Sequence, residues 1–319
     1  MRLFLAPMEG VIDHHFRTIY SAIGGVDICV SEFVRVNDLP ISTKALLREC
    51  PELEHSSMTP NGTPVRVQLL GSNPETLAES AYKTAMLGAS AIDLNFGCPA
   101  KTVNNSKGGS ILLKEPALVG TIVAKVRAAV PDHVPVTAKI RLGFEDRSLY
   151  MDNATAIAEA GANELCVHAR SRADGYNPPA YWSYIADIVN VLKIPVIANG
   201  EIWNLEDWRR CKEESQCEDF MLGRGLVACP DLALQIKAAA SGEFYRPLKW
   251  DQLLVLLYEF HLETQDTYPA RFLGNRVKQW LFYLQMHYRE AETFFQQIKR
   301  FRQPHEFEAA FASVADRLR

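Results

Sequence analysis

The amino-acid sequence predicts an α/β fold, a (β/α)8 TIM barrel followed by a small all-helical C-terminal domain. Eight short apolar runs alternate with longer helical patterns, as parallel strands joined by crossover helices do. No GxGxxG motif follows the first run, which disfavours the alternative of a doubly wound sheet. After about Leu248 the strand signals stop and only helical patterns remain. We therefore expect a barrel domain at residues 1–244 and a helical domain at residues 245–319.

The predicted strands are short apolar runs with turn-forming residues between them. They are Leu3–Met8, Ile28–Phe33, Val65–Leu70, Ala91–Asn95, Val136–Arg141, Glu164–Ala169, Pro195–Asn199 and Glu218–Leu222. The helices predicted between them include Pro74–Leu87, Pro116–Ala129, Asp152–Ala160 and Leu205–Glu214. Proline opens two of these helices, where its missing N–H costs no helical hydrogen bond. Glycine follows two of them at Gly88 and Gly161, as a helix C-cap requires.

The candidate active-site residues lie at the ends of the predicted strands, because the active sites of such barrels are formed at the C-terminal ends of the strands. The first strand ends in Pro7, Met8 and Glu9, whose exposed backbone suits a flat ring. Lys139 and Arg141 lie two apart on the fifth strand and therefore point to one face, into the site. A lysine inside a barrel needs an anion or polar ligand to offset its burial. Gln68 and His168 lie on the third and sixth strands, and His168 alone is equally compatible with a satisfied core histidine.

Glycines and an arginine close the seventh and eighth strands. Asn199-Gly200-Glu201 follows one of these strands and Gly223-Arg224 the other, the usual place for a phosphate cradle in such barrels. Arg224 adds a bidentate partner for phosphate, although Gly200 and Gly223 also fit simple turns. Together with Lys139 and a nearby thiol, this cradle indicates a phosphate-bearing redox cofactor, and FMN fits best.

The thiol is Cys98, in the segment Asn95-Phe96-Gly97-Cys98-Pro99 that follows the fourth strand. Pro99 restricts the backbone, so Cys98 is expected in a rigid turn at the barrel mouth. A free thiol has a pKa near ~8.5 and is mostly protonated at neutral pH, so Cys98 can act as a general acid. The alternative at this point is a partly buried structural cysteine.

Composition excludes some classes of protein. The seven cysteines form no CxxC pair and no zinc-spaced Cys/His cluster, so we expect reduced thiols, no metal and a cytoplasmic location. No apolar run is long enough for a membrane span.

The composition of the helical region is compatible with RNA binding. Residues 245–319 contain 11 lysines and arginines against 9 acids, whereas residues 1–244 contain 23 against 29. No acid occurs from Thr267 to Arg289, where basic and aromatic side chains are interleaved. This pattern suits a phosphate backbone and unstacked bases, although a helix with an aromatic core face and a solvated basic face has the same pattern.

At these residues the sequence resembles the tRNA-dihydrouridine synthases along essentially its whole length. The most specific element is Asn95-Phe96-Gly97-Cys98-Pro99. The segments Ser31–Val36, Cys50–Leu53 and Gly200–Trp203 are most similar to the branch associated with uridine 16 of the D-loop. The resemblance implies reduction of the 5,6 double bond of a tRNA uridine, with hydride from FMN, a proton from a cysteine, and NADPH or NADH as reductant. We expect a monomer that grips the elbow region of tRNA.

The resemblance also implies roles for individual residues. Cys98 is the proton donor. FMN is held by Pro7, Met8, Glu9, Gln68, Lys139, His168, Asn199, Gly200, Glu201, Gly223 and Arg224. Contacts with tRNA are made by Arg35, Asn95, Arg141, Tyr176, Arg276, Lys278, Tyr283 and Lys299, among which Asn95 holds the uracil.

Three functions remain open from the sequence. The same chemistry at another D-loop position differs only in how the RNA is held. An FMN oxidoreductase of a small pyrimidine or enone would use the helical domain for dimerisation. A barrel that binds RNA without redox chemistry is disfavoured by the presence of Lys139, Arg224 and Cys98 together.

Overall fold

A computed structural model describes residues 1–318, except for the side chains of Asp266, Ala270, Ser313 and residues 315–318. Nine parallel strands run in the order β2-β1-β9-β8-β7-β6-β5-β4-β3, and an additional pairing between β2 and β4 closes the barrel. The strands are β1 (Leu3–Leu5), β2 (Ile28–Val30), β3 (Val34–Arg35), β4 (Val65–Leu70), β5 (Ile92–Phe96), β6 (Val136–Arg141), β7 (Glu164–His168), β8 (Val196–Asn199) and β9 (Asp219–Leu222). The predicted (β/α)8 barrel with a helical C-terminal region is confirmed.

The helices lie outside the barrel or after it. They are α1 (His14–Ile23), α2 (Thr43–Glu49), α3 (Pro74–Met86), α4 (Lys101–Asn105), α5 (Pro116–Ala129), α6 (Tyr150–Glu159), α7 (Ser183–Val191), α8 (Leu205–Ser215), α9 (Arg224–Ala228), α10 (Leu232–Ser241), α11 (Trp250–Thr267), α12 (Asn275–Leu284), α13 (Arg289–Ile298) and α14 (Pro304–Leu318). The predicted helix over 116–129 matches α5, and the other predicted helices differ at their ends by one or two residues. Among the described residues, no helix is both long and apolar enough to cross a membrane.

Two predicted strands are shorter than expected. β1 ends at Leu5, which leaves Pro7, Met8 and Glu9 as a loop beyond the strand. The second barrel strand is interrupted after Val30 and resumes as β3, which pairs with β4 through Val34 and Arg35. Arg35 follows the predicted strand Ile28–Phe33 by two residues, but it belongs to β3, where its backbone pairs opposite Leu70.

The helical region packs on the barrel through an aromatic cluster. Phe16 of α1 lies edge-on to Phe260 of α11 and to Trp280 of α12, with ring centroids 4.6 and 5.2 Å apart. The indole Nε1 of Trp280 donates to the Val227 carbonyl at 3.2 Å, which ties α12 to α9 at the barrel rim. The helical region therefore approaches the barrel at the end where β9 finishes. The domain boundary at residue 244 falls between α10 and α11 and stays a prediction.

Candidate active site

A cleft of about 520 Å³ opens at the C-terminal ends of the strands. Its volume is in the range of pockets that hold drug-sized ligands and cofactors. It is lined by Ala6, Pro7, Met8, Glu9, Val11, Phe33, Asn95, Gly97, Cys98, Pro99, Ala100, Lys139, Arg141, His168, Tyr176, Asn199, Gly200, Glu201, Ile202, Trp203, Met221, Leu222, Gly223, Arg224, Gly225 and Tyr283. Most of the residues predicted from the sequence thus lie in one cavity, while Gln68, Arg35, Arg276, Lys278 and Lys299 lie outside it.

Cys98 is held in a turn by hydrogen bonds on both sides. The Asn95 carboxamide Oδ1 accepts from the backbone N–H groups of Gly97 and Cys98, each at 2.9 Å. The Cys98 carbonyl accepts from the Ser110 hydroxyl at 2.9 Å. Gly109 has a φ of +67°, and a Cβ there would come within 2.9 Å of the Cys98 carbonyl oxygen, so only glycine fits. The thiol is buried, which raises its pKa, so it carries its proton at neutral pH.

A chain of hydrogen bonds lies beneath this turn. Asn95 Nδ2 donates to Gln68 Oε1 at 2.7 Å, and Gln68 Nε2 donates to Asp93 Oδ2 at 2.7 Å. The Thr137 hydroxyl donates to the other oxygen of Asp93 at 2.6 Å. Gln68 is fully buried and its carboxamide is engaged at both ends, so it supports Asn95 from below. Its predicted contact with a flavin remains a prediction.

Lys139 lies on β6, where its backbone is in register with Asn95 of the neighbouring strand β5, and His168 ends the next strand, β7. Lys139 Nζ donates to Asn199 Oδ1 at 2.8 Å, which leaves two of its three N–H groups for another partner. Burial lowers the pKa of Lys139. The pKa of His168 lies well below its ordinary value because the ring is buried, with Arg141 and Lys139 as the nearest cationic influences. The neutral ring leaves Nδ1 buried with no hydrogen-bond partner among the described residues.

Glu201 contacts two arginines, which follow the ends of β7 and β9. Its carboxylate pairs with the fully buried Arg170 and lies 3.5 Å from Arg224 Nη2. The Arg224 guanidinium lies between the rings of Tyr176 and Trp203, 4.8 and 5.1 Å from their centroids. These contacts hold Arg224 at the rim with its side chain 29% exposed, accessible to an anion.

The backbone at Gly200 lies close to the His168 ring and leaves no room for a side chain. Its φ is +113°, and a Cβ would come within 2.8 Å of the His168 ring. Any side chain at this position would displace His168 or fill the space beside it.

Arg141 lines the cleft and also holds two of its loops together. Its guanidinium donates to the carbonyls of Gly97 at 2.9 Å and Gly175 at 2.9 Å, and it lies 5.1 Å from the Tyr176 ring centroid. It therefore joins the Cys98 turn to the loop that carries Tyr176. Tyr176 itself is 52% exposed at the mouth.

Comparison with known proteins decides the family. The model of the dihydrouridine synthase family matches residues 4–317. The chain belongs to the dihydrouridine synthase family. A tRNA-dihydrouridine(16) synthase of Pseudomonas putida is 51% identical over 300 residues, which cover 94% of this chain and 93% of the relative. The protein of that name from Shewanella oneidensis is 50% identical over 304 residues, which cover 94% and 93%.

Solved structures support the fold. A 2-naphthoyl-CoA reductase complex has a TM-score of 0.56 at 13% identity, over 76% of this chain and 50% of that one. The old yellow enzyme homologue of Zymomonas mobilis has a TM-score of 0.52 at 11% identity, over 79% and 91%. At these identities the likeness shows the barrel architecture alone.

In this dihydrouridine synthase the helical region forms part of the cleft wall. Tyr283 of α12 lines the cavity opposite the barrel loops. Arg276, two turns earlier, faces the barrel: Nη2 pairs with Asp13 at 2.8 Å and donates to the Val11 carbonyl at 2.7 Å, and Nη1 donates to the Gly10 carbonyl at 3.0 Å. Gly10 and Val11 follow the loop that lines the cavity, so Arg276 fixes one edge of the site.

Lys278, Lys299 and Arg35, which are also predicted to bind tRNA, do not line the cleft. Lys278 donates to the Phe301 carbonyl at 2.7 Å, and Lys299 bonds to Gln296. Arg35 is exposed, with its guanidinium 5.9 Å from the Phe33 ring centroid. Their contacts with tRNA remain predictions.

Sequence reasoning missed Trp203, Phe33 and Gln279. Trp203 Nε1 donates to Glu201 Oε1 at 3.0 Å and its ring supports Arg224. Gln279 Nε2 donates to the Gly10 carbonyl at 2.8 Å beside Arg276. Position could have indicated Phe33 and Trp203, which follow strand ends, whereas nothing in the sequence links Gln279 with Gly10.

Proposed function

We propose that this protein is an FMN-dependent tRNA-dihydrouridine synthase that reduces the 5,6 double bond of a D-loop uridine at position 16, with NADPH or NADH as reductant. The observation that carries the proposal is the protonated thiol of Cys98 in a cleft that is also lined by Lys139, His168 and Arg224. This arrangement combines a proton donor with two cationic side chains and a neutral imidazole around a space large enough for a flat cofactor and a base.

The donor set fits FMN. Arg224 and the glycines at the ends of β8 and β9 suit its phosphate, since the guanidinium is accessible and Gly200 keeps the backbone open. Lys139 has free N–H groups for the polar edge of the ring, and His168 Nδ1 lacks a partner among the described residues. When bound, FMN supplies the two-electron reduction that no side chain of the chain can supply.

The roles of the chain's own residues follow from their contacts. Cys98 holds a proton at Sγ and donates it to carbon C5 of the uracil. The side-chain carboxamide of Asn95 accepts from the Cys98 N–H through Oδ1 and donates to Gln68 through Nδ2. These hydrogen bonds keep Cys98, the proposed general acid, in position as the substrate enters. A tRNA base reaches such a depth only when it leaves its stack, which requires the protein to hold the flanking RNA.

We further propose that residues 1–244 carry the chemistry and residues 245–319 hold the tRNA near its elbow. Tyr283 supports this division because it extends the cleft wall into the helical region. We also propose that the active form is a monomer. A tRNA substrate places the proposed activity in the cytoplasm.

Two measurements test the proposal. The purified protein should be yellow and should release FMN on denaturation; a colourless protein whose spectrum does not respond to added FMN would refute the cofactor. In cells that lack the gene, dihydrouridine should be absent from position 16 and return with the parent gene but not with the Cys98→Ala gene. Loss at another position instead would correct the site of modification, and no loss at any position would refute the reaction.

A further inference from the structure

Phe282 is an exposed aromatic residue of α12 that the cleft does not use. It is 52% exposed, and Met286, which is 53% exposed, lies two residues beyond Leu284, the last residue of α12. The C-terminal end of this helix thus has two exposed apolar residues, Phe282 and Met286, which we call the apolar patch. The core face of α12 is made by Val277, Trp280, Leu281 and Leu284, so the patch contributes nothing to the packing of the helix.

The patch continues the wall of the cleft. The Phe282 ring lies edge-on to Tyr283, with centroids 5.7 Å apart and an interplanar angle of 84°. Tyr283 lines the cavity that contains Cys98. A strand of nucleic acid that leaves the cavity past Tyr283 therefore meets Phe282 next.

The charges around the patch favour a polyanion. Successive helix residues are rotated by about 100°, so Lys278 lies about 40° from Phe282 on one side and Tyr283 about 100° on the other. A ligand that touches both Lys278 and Tyr283 must cover Phe282. No acidic residue occurs between Thr267 and Arg289, so no carboxylate of this segment repels a phosphate there.

We propose that Phe282 stacks with an unpaired nucleobase of the substrate tRNA next to the uridine that enters the cleft, and that Met286 supports this contact. The inference rests on the proposed function. An exposed ring beside basic residues is the usual platform for unstacked bases, since every base has a face on which an aromatic ring can stack. The occupant is thus RNA rather than a second protein chain.

The test compares full-length Phe282→Ala with Phe282→Trp and with Phe244→Ala. Phe244 is 93% exposed and lines no part of the cleft, so it controls for the loss of an exposed ring. We expect Phe282→Ala to weaken tRNA binding and raise KM by about 5- to 150-fold, the range for loss of one base–aromatic stack. The kcat value and the flavin content should be unchanged. Phe282→Trp should bind like the parent, because the indole also stacks.

A salt series adds a readout that a merely structural role would not produce. A neutral ring releases no counterions, so the log–log salt slope of tRNA binding should be the same in Phe282→Ala and the parent. Unchanged affinity in Phe282→Ala, an equal loss in Phe282→Trp, or concentration-dependent self-association abolished by Phe282→Ala would each overturn the inference. If the parent reduces tRNA uridine while Phe282→Ala is indistinguishable from it, the inference alone fails. If the parent reduces no uridine, the proposed function fails with it.

Discussion

Arg276→Ala and Lys278→Ala should have different consequences, although both residues are basic and lie two apart on α12. Arg276 makes an ion pair with Asp13 and donates to the carbonyls of Gly10 and Val11, with only 12% of its side chain exposed. Lys278 makes a single hydrogen bond to the Phe301 carbonyl within the helical region. Truncating Arg276 therefore releases a loop of the cleft, whereas truncating Lys278 leaves the cleft intact.

The magnitude follows from the contacts that are lost. A hydrogen bond that involves a charged group contributes about 1.5–3 kcal/mol, and such contributions from one side chain add incompletely. We expect Arg276→Ala to lower the free energy of unfolding by about 3 kcal/mol, and Lys278→Ala by about 1 kcal/mol. At ~2–4 °C per kcal/mol the first change lowers Tm by roughly 6–12 °C.

The assay measures thermal unfolding, FMN affinity and tRNA binding for the parent and both variants. Arg276→Ala should lose FMN more readily than the parent, because Gly10 and Val11 directly follow Pro7, Met8 and Glu9 of the cavity wall. Lys278→Ala should keep its FMN and show a salt slope of tRNA binding smaller by ~0.7–0.9 if it contacts one phosphate. Equal FMN affinity and equal Tm in Arg276→Ala and the parent would refute the reasoning.

Two further predictions concern Cys98 and the buried pair of Arg17 and Glu52. Cys98→Ala should slow uridine reduction by ~10²–10⁴-fold while flavin reduction by NADPH stays intact in stopped-flow traces, and equal tRNA turnover would show that another group is the acid. Because burial raises the pKa of Cys98, uridine reduction by the parent should stay constant past the ordinary thiol pKa of about 8.5 and decline only at higher pH. Glu52→Gln should lower the free energy of unfolding by about 3–5 kcal/mol, since Arg17 is fully buried and bonded to Glu52 at 2.7 and 2.8 Å. Burial alone would raise the pKa of Glu52, but the hydrogen bond from Arg17 and its charge outweigh burial and leave the pKa of Glu52 lowered. The stabilisation by this pair is therefore fully present above pH ~4.3 and is lost as the pH falls through the lowered pKa. Denaturant titrations of the parent that show no such loss of stability at low pH would contradict this prediction.

The barrel could be predicted because its signals are local. Strand runs, helix caps and the residues at strand ends are each readable within a few positions, and they placed Cys98, Lys139, His168, Gly200 and Arg224 in one cavity. The cysteine turn was also readable, since Asn95 and Pro99 lie beside Cys98.

The contacts that join the two parts of the molecule could not be predicted. Arg276 and Gly10 are 266 positions apart, and no local pattern marks them as partners. The sequence showed only that Arg276 is basic in an acid-free segment, which is equally compatible with a ligand for RNA and with a buried ion pair. The hydrogen bonds of Gln68 could not be predicted for a similar reason, because its partners Asp93 and Asn95 lie on the neighbouring strand.

Asp13 has a consequence for anyone who exchanges parts between relatives of this enzyme. One of its carboxylate oxygens caps α1 by accepting from the Phe16 N–H at 3.0 Å, and the other receives Arg276 of α12 and the hydroxyl of Tyr268. A chimaera that takes its C-terminal helices from another protein would leave this carboxylate half-satisfied unless the donor carries an arginine and a tyrosine in the same places. A working exchange must therefore replace residue 13 together with the C-terminal helices, although the two are far apart in the gene.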